Sequence, residues 1–391
     1  GLTAAQSFKD VGLEVVLIEK EFCGAGASGK SSGFITPNSE YGLEDLVSKF
    51  GKINSKKLWD FATSGADLIQ DNIKKYNIDC DYEEQDTLML ANSESKFKSD
   101  LLPEYNIRND LGYDAKVYNK QELSTILGSD KYYGAISYSG SFGINSYKYC
   151  QGISKILQEL GVKVFEKSEV IKIEPWGVET AHGHKIKAQY IIVCVDRFLP
   201  ELKKLEQDIY HVQTFLMISN KLTPEQVKKI FPEKKYMTWD TDLIYQYWRL
   251  TGDNRLLIGG SNILYSYAWY EKHNSSCMYK KLNNYFKNKF PELDIDFEYM
   301  WPGFIGISKD VIPVAGIDSE NKNIYYISAA TGLPWAAALG KYSAKKLIAN
   351  SSEFDEYFSP NRKYPINWIL QTILGKRLTF ALSNFLSLKS I

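Results

Sequence analysis

Three stretches follow one another within the first 33 residues: Gly1-Leu2-Thr3-Ala4-Ala5-Gln6-Ser7-Phe8-Lys9-Asp10-Val11-Gly12, then Glu14-Val15-Val16-Leu17-Ile18-Glu19-Lys20, then Gly24-Ala25-Gly26-Ala27-Ser28-Gly29-Lys30-Ser31-Ser32-Gly33. Apolar residues at 2, 5 and 8 and the glycine at 12 predict a short helix closed by Gly12. Val15 to Ile18 are four consecutive large apolar or β-branched residues, the mark of a strand buried on both faces of a parallel sheet. Glu19, at the carboxyl end of that strand and just under 20 residues after a helix-opening glycine, fits the second half of a dinucleotide-binding βαβ unit, where a carboxylate accepts hydrogen bonds from ribose hydroxyls. On this reading Gly1 is the third glycine of GxGxxG, and a strand with two glycines, about 10–15 residues, precedes it. The third stretch exposes backbone N–H groups and hydroxyls with no bulky side chains. Such a loop approaches a pyrophosphate and the edge of a planar ring closely.

Composition narrows the alternatives. The 391 residues carry 47 basic and 47 acidic side chains, so the net charge is zero, which argues against a protein that coats nucleic acid. No run approaches the roughly 18 uninterrupted apolar residues of a transmembrane helix. Five cysteines, Cys23, Cys80, Cys150, Cys194 and Cys277, form no CxxC pair. They read as free thiols of a reducing cytosol, which predicts a cytoplasmic protein without a bound metal. His182-Gly183-His184 reads as a hairpin turn rather than a metal site.

The glycine-rich loop placed directly on a strand ending in Glu-Lys resembles the D-amino-acid oxidase/glycine oxidase superfamily of FAD-dependent oxidoreductases. Further blocks agree in order and spacing. Ile144-Asn145-Ser146-Tyr147 introduces a helix, followed by Val162 to Phe165 and Ser168 to Ile173. Lys187 to Val195 is similar to the strand that returns under the cofactor. Tyr245 to Gly260 resembles Y-x-R-x-T-x-D-x-R-x-L-x-G-G, and Trp301 to Gly316 resembles W-x-G-x-x-x-x-x-x-D-x-x-P-x-x-G. Asn323 to Gly332 precedes a helix from about Pro334. Within the superfamily the chain is most similar to the gamma-glutamylputrescine oxidoreductase branch.

The resemblance implies an α/β fold: a discontinuous Rossmann-like FAD-binding domain (1–79, 144–204 and 303–360) with an inserted α+β substrate domain built on an antiparallel sheet (80–143 and 205–302). Residues 361–391 form a C-terminal helical tail. It implies cofactor contacts from Gly1, Glu19, Lys20, Ala27, Ser28, Gly29, Ser32, Gly33 and Val170. At the flavin edge, Gly332, Leu333 and Pro334 open a helix whose positive end stabilises the reduced ring. Relatives usually carry a glycine-rich turn with a histidine there, and Leu333-Pro334-Trp335 occupies it.

The expected chemistry is oxidation of a C–N bond by hydride transfer from the carbon alpha to an amine onto flavin N5, a transfer governed by alignment that assigns no catalytic base. The substrate-pocket candidates are Tyr245, Tyr247, Arg249 and Trp335, the aromatics offering cation–π faces. Amino-acid oxidases of this family grip the substrate carboxylate with a planar arginine. The position in the W-x-G block that carries one such arginine is Ile305. The chain has six arginines in all, Arg108, Arg197, Arg249, Arg255, Arg362 and Arg377. These features point to an amine or amino-acid derivative as small-molecule partner. The competing reading is a catalytically degenerate flavin-fold protein acting as a binding partner. Residues 361–391 contain five basic and no acidic residues. Leu370, Leu374, Leu378, Ala381, Phe385 and Leu388 form one helical stripe there. That pattern fits either docking on the domain or a peripheral contact with a membrane or partner.

Overall fold

The computed structural model describes the chain except residues 38–39, 243–244, 267–274, 365–368, 376–377 and 380–391, and the side chains of 261–266 are also outside the description. Five helices organise it: α1 (Leu2–Asp10), α2 (Leu43–Tyr76), α3 (Ser146–Glu159), α4 (Ser276–Lys289) and α5 (Leu333–Ala349). α2 is broken at Gly51, whose φ of 74° takes it out of helical geometry. Gly12 closes the turn after α1 with φ 83°.

Two parallel strand pairs accompany α1, α3 and α5. Val16–Ile18 pairs with Lys163–Phe165, and Ile191–Val193 pairs with Ile324–Ser328, which also takes Val314–Ile317 antiparallel. The strand expected to be buried on both faces is shorter and less covered than its sequence suggests. It has one partner strand among the described residues, and Val16 is 42% exposed. α1 is locked to α2 by a buried reciprocal amide pair, Gln6 to Asn72, at 2.8 and 3.0 Å. Apolar residues of α1, α2 and α3, among them Ala5, Ile69, Ile153 and Leu157, close around that pair.

The second half is an eight-stranded sheet in the order 297–308, 209–221, 255–266, 247–250, 236–240, 86–90, 134–138 and 116–119. Every pair is antiparallel except Tyr236–Asp240 with Asp86–Leu90, where two separate chain segments meet in parallel. Strand alternation sends Trp248 to one face, where it packs on Phe286 and Phe290 at ring distances of 5.5 Å and stacks on Phe231 at 5.4 Å. α4 covers that core. The neighbouring Trp239 and Tyr247 go to the other face and meet Phe34 of the strand that follows the glycine-rich loop. Strand Phe297–Ser308 runs without a break across the expected boundary at 302/303.

The C-terminal segment returns to this body. Arg362 forms a two-point ion pair with Asp310 at 2.7 and 2.8 Å and donates to the carbonyls of Ile312 and Pro313. Residues 369–375 are helical. Gln371 is buried and joins Tyr210 Oη at 2.7 Å to Gln207 at 2.6 Å, while Ile369, Leu370 and Ile373 point outward. Leu378 is exposed, and Ala381, Phe385 and Leu388 of the expected stripe lie outside the described residues. No helix among the described residues is long and apolar enough to cross a membrane.

Burial alone would raise the Asp310 carboxyl, but the hydrogen bond and charge of Arg362 outweigh it and hold the carboxyl below the usual carboxylate range. A depressed carboxyl contributes stability above its unfolded value of about 3.9, and that stability is lost as pH falls through the folded value. The melting temperature of the wild type is therefore expected to fall on acidification below about pH 4. Asp310→Asn is expected to be less stable at pH 7, by about 3–5 kcal/mol, because it leaves Arg362 buried without its charge partner. Its melting temperature is expected to depend less on pH in the acid range. Thermal melts of both proteins between pH 3 and 7 check this.

Candidate functional site

The glycine-rich loop has the shape its sequence asks for. Gly24 has φ 96°, and a Cβ there would lie 3.0 Å from Cys150 Cβ on α3. A Cβ on Gly29 would lie 2.0 Å from the Gly24 carbonyl, so the loop closes on itself and tolerates no side chain at that point. α3 holds the loop from outside: Gln151 Nε2 donates to the Cys23 carbonyl and Ser146 Oγ to that of Ser31, while the Cys23 N–H donates to Glu166 Oε1 at 2.8 Å. The N–H groups of Ala25, Lys30 and Gly33 are used within the loop. Those of Ala27, Ser28, Gly29 and Ser32 donate to nothing among the described residues. Unused donors in a loop without side-chain bulk fit the pyrophosphate and ring edge of a flavin dinucleotide.

Two helix starts agree with that fit. α1 and α5 have no side-chain cap and no acidic residue in the first turn. α3 is capped by Asn145, and the short helices Lys120–Ile126 and Pro224–Ile230 carry full capping boxes. An uncapped start leaves backbone N–H groups and the positive end of the dipole for an anion. α5 is fixed in place by contact without side chains. A Cβ on Gly65 of α2 would lie 1.9 Å from the Pro334 carbonyl, and one on Gly340 would lie 2.9 Å from the Ala4 amide of α1. Gly332, with φ 99°, is exposed at the start of α5, Leu333 is half-buried and Pro334 is buried.

The adenine-side candidates also gather. The carbonyl of Glu19 accepts from the Ser168 amide, Lys20 pairs with Glu169 at 2.8 Å, and Val170 opens the next strand. Burial pushes the Glu19 carboxyl up, against the pull of the Glu21 and Lys20 amides. Gly1 caps α1 beside Cys194, to which its Cβ would come within 3.6 Å.

The substrate-side candidates divide. Trp335 is not in a pocket. It is 3% exposed and packs on Phe61 and Phe358 at 5.8 and 5.9 Å, because the first turn of α5 rolls that position toward α2. Arg249 does not face a ligand either. It is 3% exposed, and its guanidinium donates to the carbonyls of Ser32 (2.9 Å), Ile144 (2.7 Å) and Leu250 (3.3 Å). A Cβ on Gly33 or Gly143 would collide with it, at 3.0 and 2.5 Å. Burial pulls its pKa down to about 10, so it stays charged at neutral pH. Arg249 is the clamp that ties the cofactor loop to the large sheet. Tyr245 and Tyr247 lie together, ring centroids 5.9 Å apart. Tyr245 is 37% exposed, although protein encloses it and Tyr247 on all sides, so both look into an internal cavity.

Two further residues have no motif to announce them. Asp196 follows the returning strand with φ 48° and accepts from the Gly306 amide at 2.7 Å and the Ala329 amide at 2.9 Å. It thus pins the ends of two strands to the large sheet, on the far side from Arg249. Burial raises its carboxyl against those backbone donors. Glu40, between the glycine-rich loop and α2, faces Tyr245 Oη at 3.5 Å.

The chain matches the DAO family, the FAD dependent oxidoreductases, over residues 1–346, and it belongs to that family. It is an FAD-dependent oxidoreductase. The probable oxidoreductase OrdL of Haemophilus influenzae is 28% identical over 361 residues, covering 90% of this chain and 81% of that protein. The gamma-glutamylputrescine oxidoreductase of Escherichia coli is 25% identical over 377 residues, covering 93% and 85%. In structure the chain is similar to glycine oxidase from Geobacillus kaustophilus, with TM-score 0.76, 18% identity and coverage of 93% and 96%. The α/β fold with its antiparallel sheet is that of these flavoproteins.

The clamp assigned to Arg249 has a direct check. Arg249→Met is expected to weaken FAD binding about tenfold or more, because three buried carbonyls lose a charged donor and the loop loses its tie. FAD titration by fluorescence measures this. A variant that keeps wild-type FAD affinity and loses only substrate affinity contradicts the assignment.

Proposed function

We propose that this protein oxidises the C–N bond of a small amine or amine derivative, with FAD held between the glycine-rich loop, the starts of α1 and α5, and the inner face of the large sheet. Bound FAD supplies the two-electron acceptor for a hydride leaving the carbon next to nitrogen, and the imine so formed hydrolyses in water. In this reading Ala27, Ser28, Gly29, Ser32 and Gly33 hold the pyrophosphate and ring edge, while Gly1 lies at the phosphate end of α1. Glu19, Lys20 and Val170 receive the ribose and adenine. The start of α5 at Gly332, Leu333 and Pro334 lies where negative charge develops on reduction. Its dipole contributes without any side chain having to move. Residues 1–79, 144–204 and 303–360 serve the cofactor and residues 80–143 and 205–302 the substrate, with strand Phe297–Ser308 shared between the two.

The observation that carries the amine reading is the engagement of the arginines. Arg108 pairs with Glu104, Arg197 with Glu201, Arg255 with Asp253 and Glu298, and Arg362 with Asp310, while Arg249 is spent on backbone carbonyls. Arg377 lies outside the described residues. Ile305 stands where an amino-acid oxidase of this kind carries its carboxylate-binding arginine. A planar two-point grip on a substrate carboxylate is therefore not offered by the described arginines. The names of gamma-glutamylputrescine oxidoreductase and glycine oxidase both point to nitrogen-bearing substrates, which agrees with this reading.

The FAD-loaded protein is expected to absorb near 450 nm and to bleach under anaerobic addition of mono-acylated 1,4-diaminobutane or a simple primary alkylamine. Glycine and D-alanine are expected to reduce it far more slowly. Stopped-flow spectroscopy reads both. Flavin that is bound yet reduced by neither amines nor amino acids would favour the catalytically degenerate alternative.

A further inference from the structure

Glu40 is not used by the chemistry above. Its side chain keeps accessible surface, yet protein closes round it on all sides, so the carboxylate faces a cavity and not open solvent. Its one partner among the described residues is Tyr245 Oη, at 3.5 Å, the outer limit of a hydrogen bond. No lysine, arginine or histidine among the described residues neutralises it. Burial pushes the carboxyl up. An enclosed carboxylate without a cation is unfavourable, and its environment in the protein leaves that cost unmet.

The surroundings are those of a cation site. Tyr245 and Tyr247 stand side by side, Phe34 meets Tyr247 edge to face at 5.7 Å, and Trp239 adjoins Phe34 at 6.4 Å. Aromatic faces next to one carboxylate suit an ammonium, which gains both the ion pair and cation–π attraction. They are hostile to a second carboxylate, which meets like charge and no guanidinium fork.

We propose that Glu40 is the counter-ion for the substrate's ammonium group, the residue that selects a cationic amine lacking a nearby carboxylate, with Tyr245 and Tyr247 supplying ring faces. This deepens the amine reading of the same cavity and rests on it for the identity of the substrate. Glu40 acts in recognition. The pair forms with the cationic amine, and the proton leaves before hydride transfer, which requires the neutral amine.

The test uses the FAD holoenzyme and two probes. Tetramethylammonium is inert to the flavin and reports binding alone through perturbation of the flavin absorption bands. A primary alkylamine reports turnover. Glu40→Gln keeps the shape and the contact to Tyr245 while removing the charge. It is expected to weaken tetramethylammonium binding about tenfold to a hundredfold. The KM for the amine is expected to rise by a similar factor, with the effect on KM rather than kcat and with FAD content unchanged. Glu40→Asp is expected to fall between the two. Equal tetramethylammonium affinity in wild type and Glu40→Gln, or absence of binding by the wild type, overturns the inference. Tetramethylammonium binding that depends on Glu40, together with flavin that no amine bleaches, supports the cation site while sinking the amine-oxidation reading, so the two failures are distinguishable.

Discussion

Everything at the candidate site depends on how closely three helices approach one another. The start of α5 is held by Gly65 of α2 against the Pro334 carbonyl, and its second half lies on α1 at Gly340. Neither contact leaves room for a Cβ. The contact fixes the direction of the α5 dipole by backbone alone, and the helix start is free of caps and acidic side chains. A device of this kind suits a ring that alternates between neutral and negative states. The stabilising charge is built into the backbone and does not need to reorganise when electrons arrive.

Around that fixed point two polar ties join the cofactor side to the large sheet. Arg249 reaches from the sheet to the glycine-rich loop at Ser32 and to Ile144, and Asp196 reaches from the end of a parallel strand to Gly306 and Ala329. Both are buried charged groups whose hydrogen bonds go to backbone. Their effect is to hold two separately built layers in one register, so that the wall bearing Tyr245 and Tyr247 stands over the cofactor loop. Charges of this kind are favourable only when fully partnered, which explains why small residues such as Gly33, Gly143 and Gly306 crowd them.

Much of this arrangement is legible in the sequence, and the parts that are not have physical reasons. The strand ending at Glu19, the capped start of α3 at Asn145 and the start of α5 near Pro334 are local features. Periodicity and capping chemistry announce them. Arg249 and Trp335 were readable as pocket residues from position alone. Their real surroundings come from chain segments 217 and 274 residues distant, Ser32 and Phe61. A rotation of one residue at the start of a helix turns Trp335 from cavity to core. Asp196 and Glu40 carry no motif. The only sequence signal for Asp196 is an acidic residue directly after a buried strand, and for Glu40 an acidic residue just before a helix, which is ordinarily read as dipole chemistry.

The arrangement describes a flavoprotein whose cofactor is gripped by backbone and whose substrate is met by aromatic rings and a lone carboxylate. A crystal structure of the FAD complex tests that account most directly. The account predicts the pyrophosphate over residues 27–32, the pyrimidine edge of the ring against the first turn of α5, and Tyr245, Tyr247 and Glu40 on the open side of the ring. A ring bound away from the start of α5, or turned so that those three residues lie outside its cavity, would contradict it.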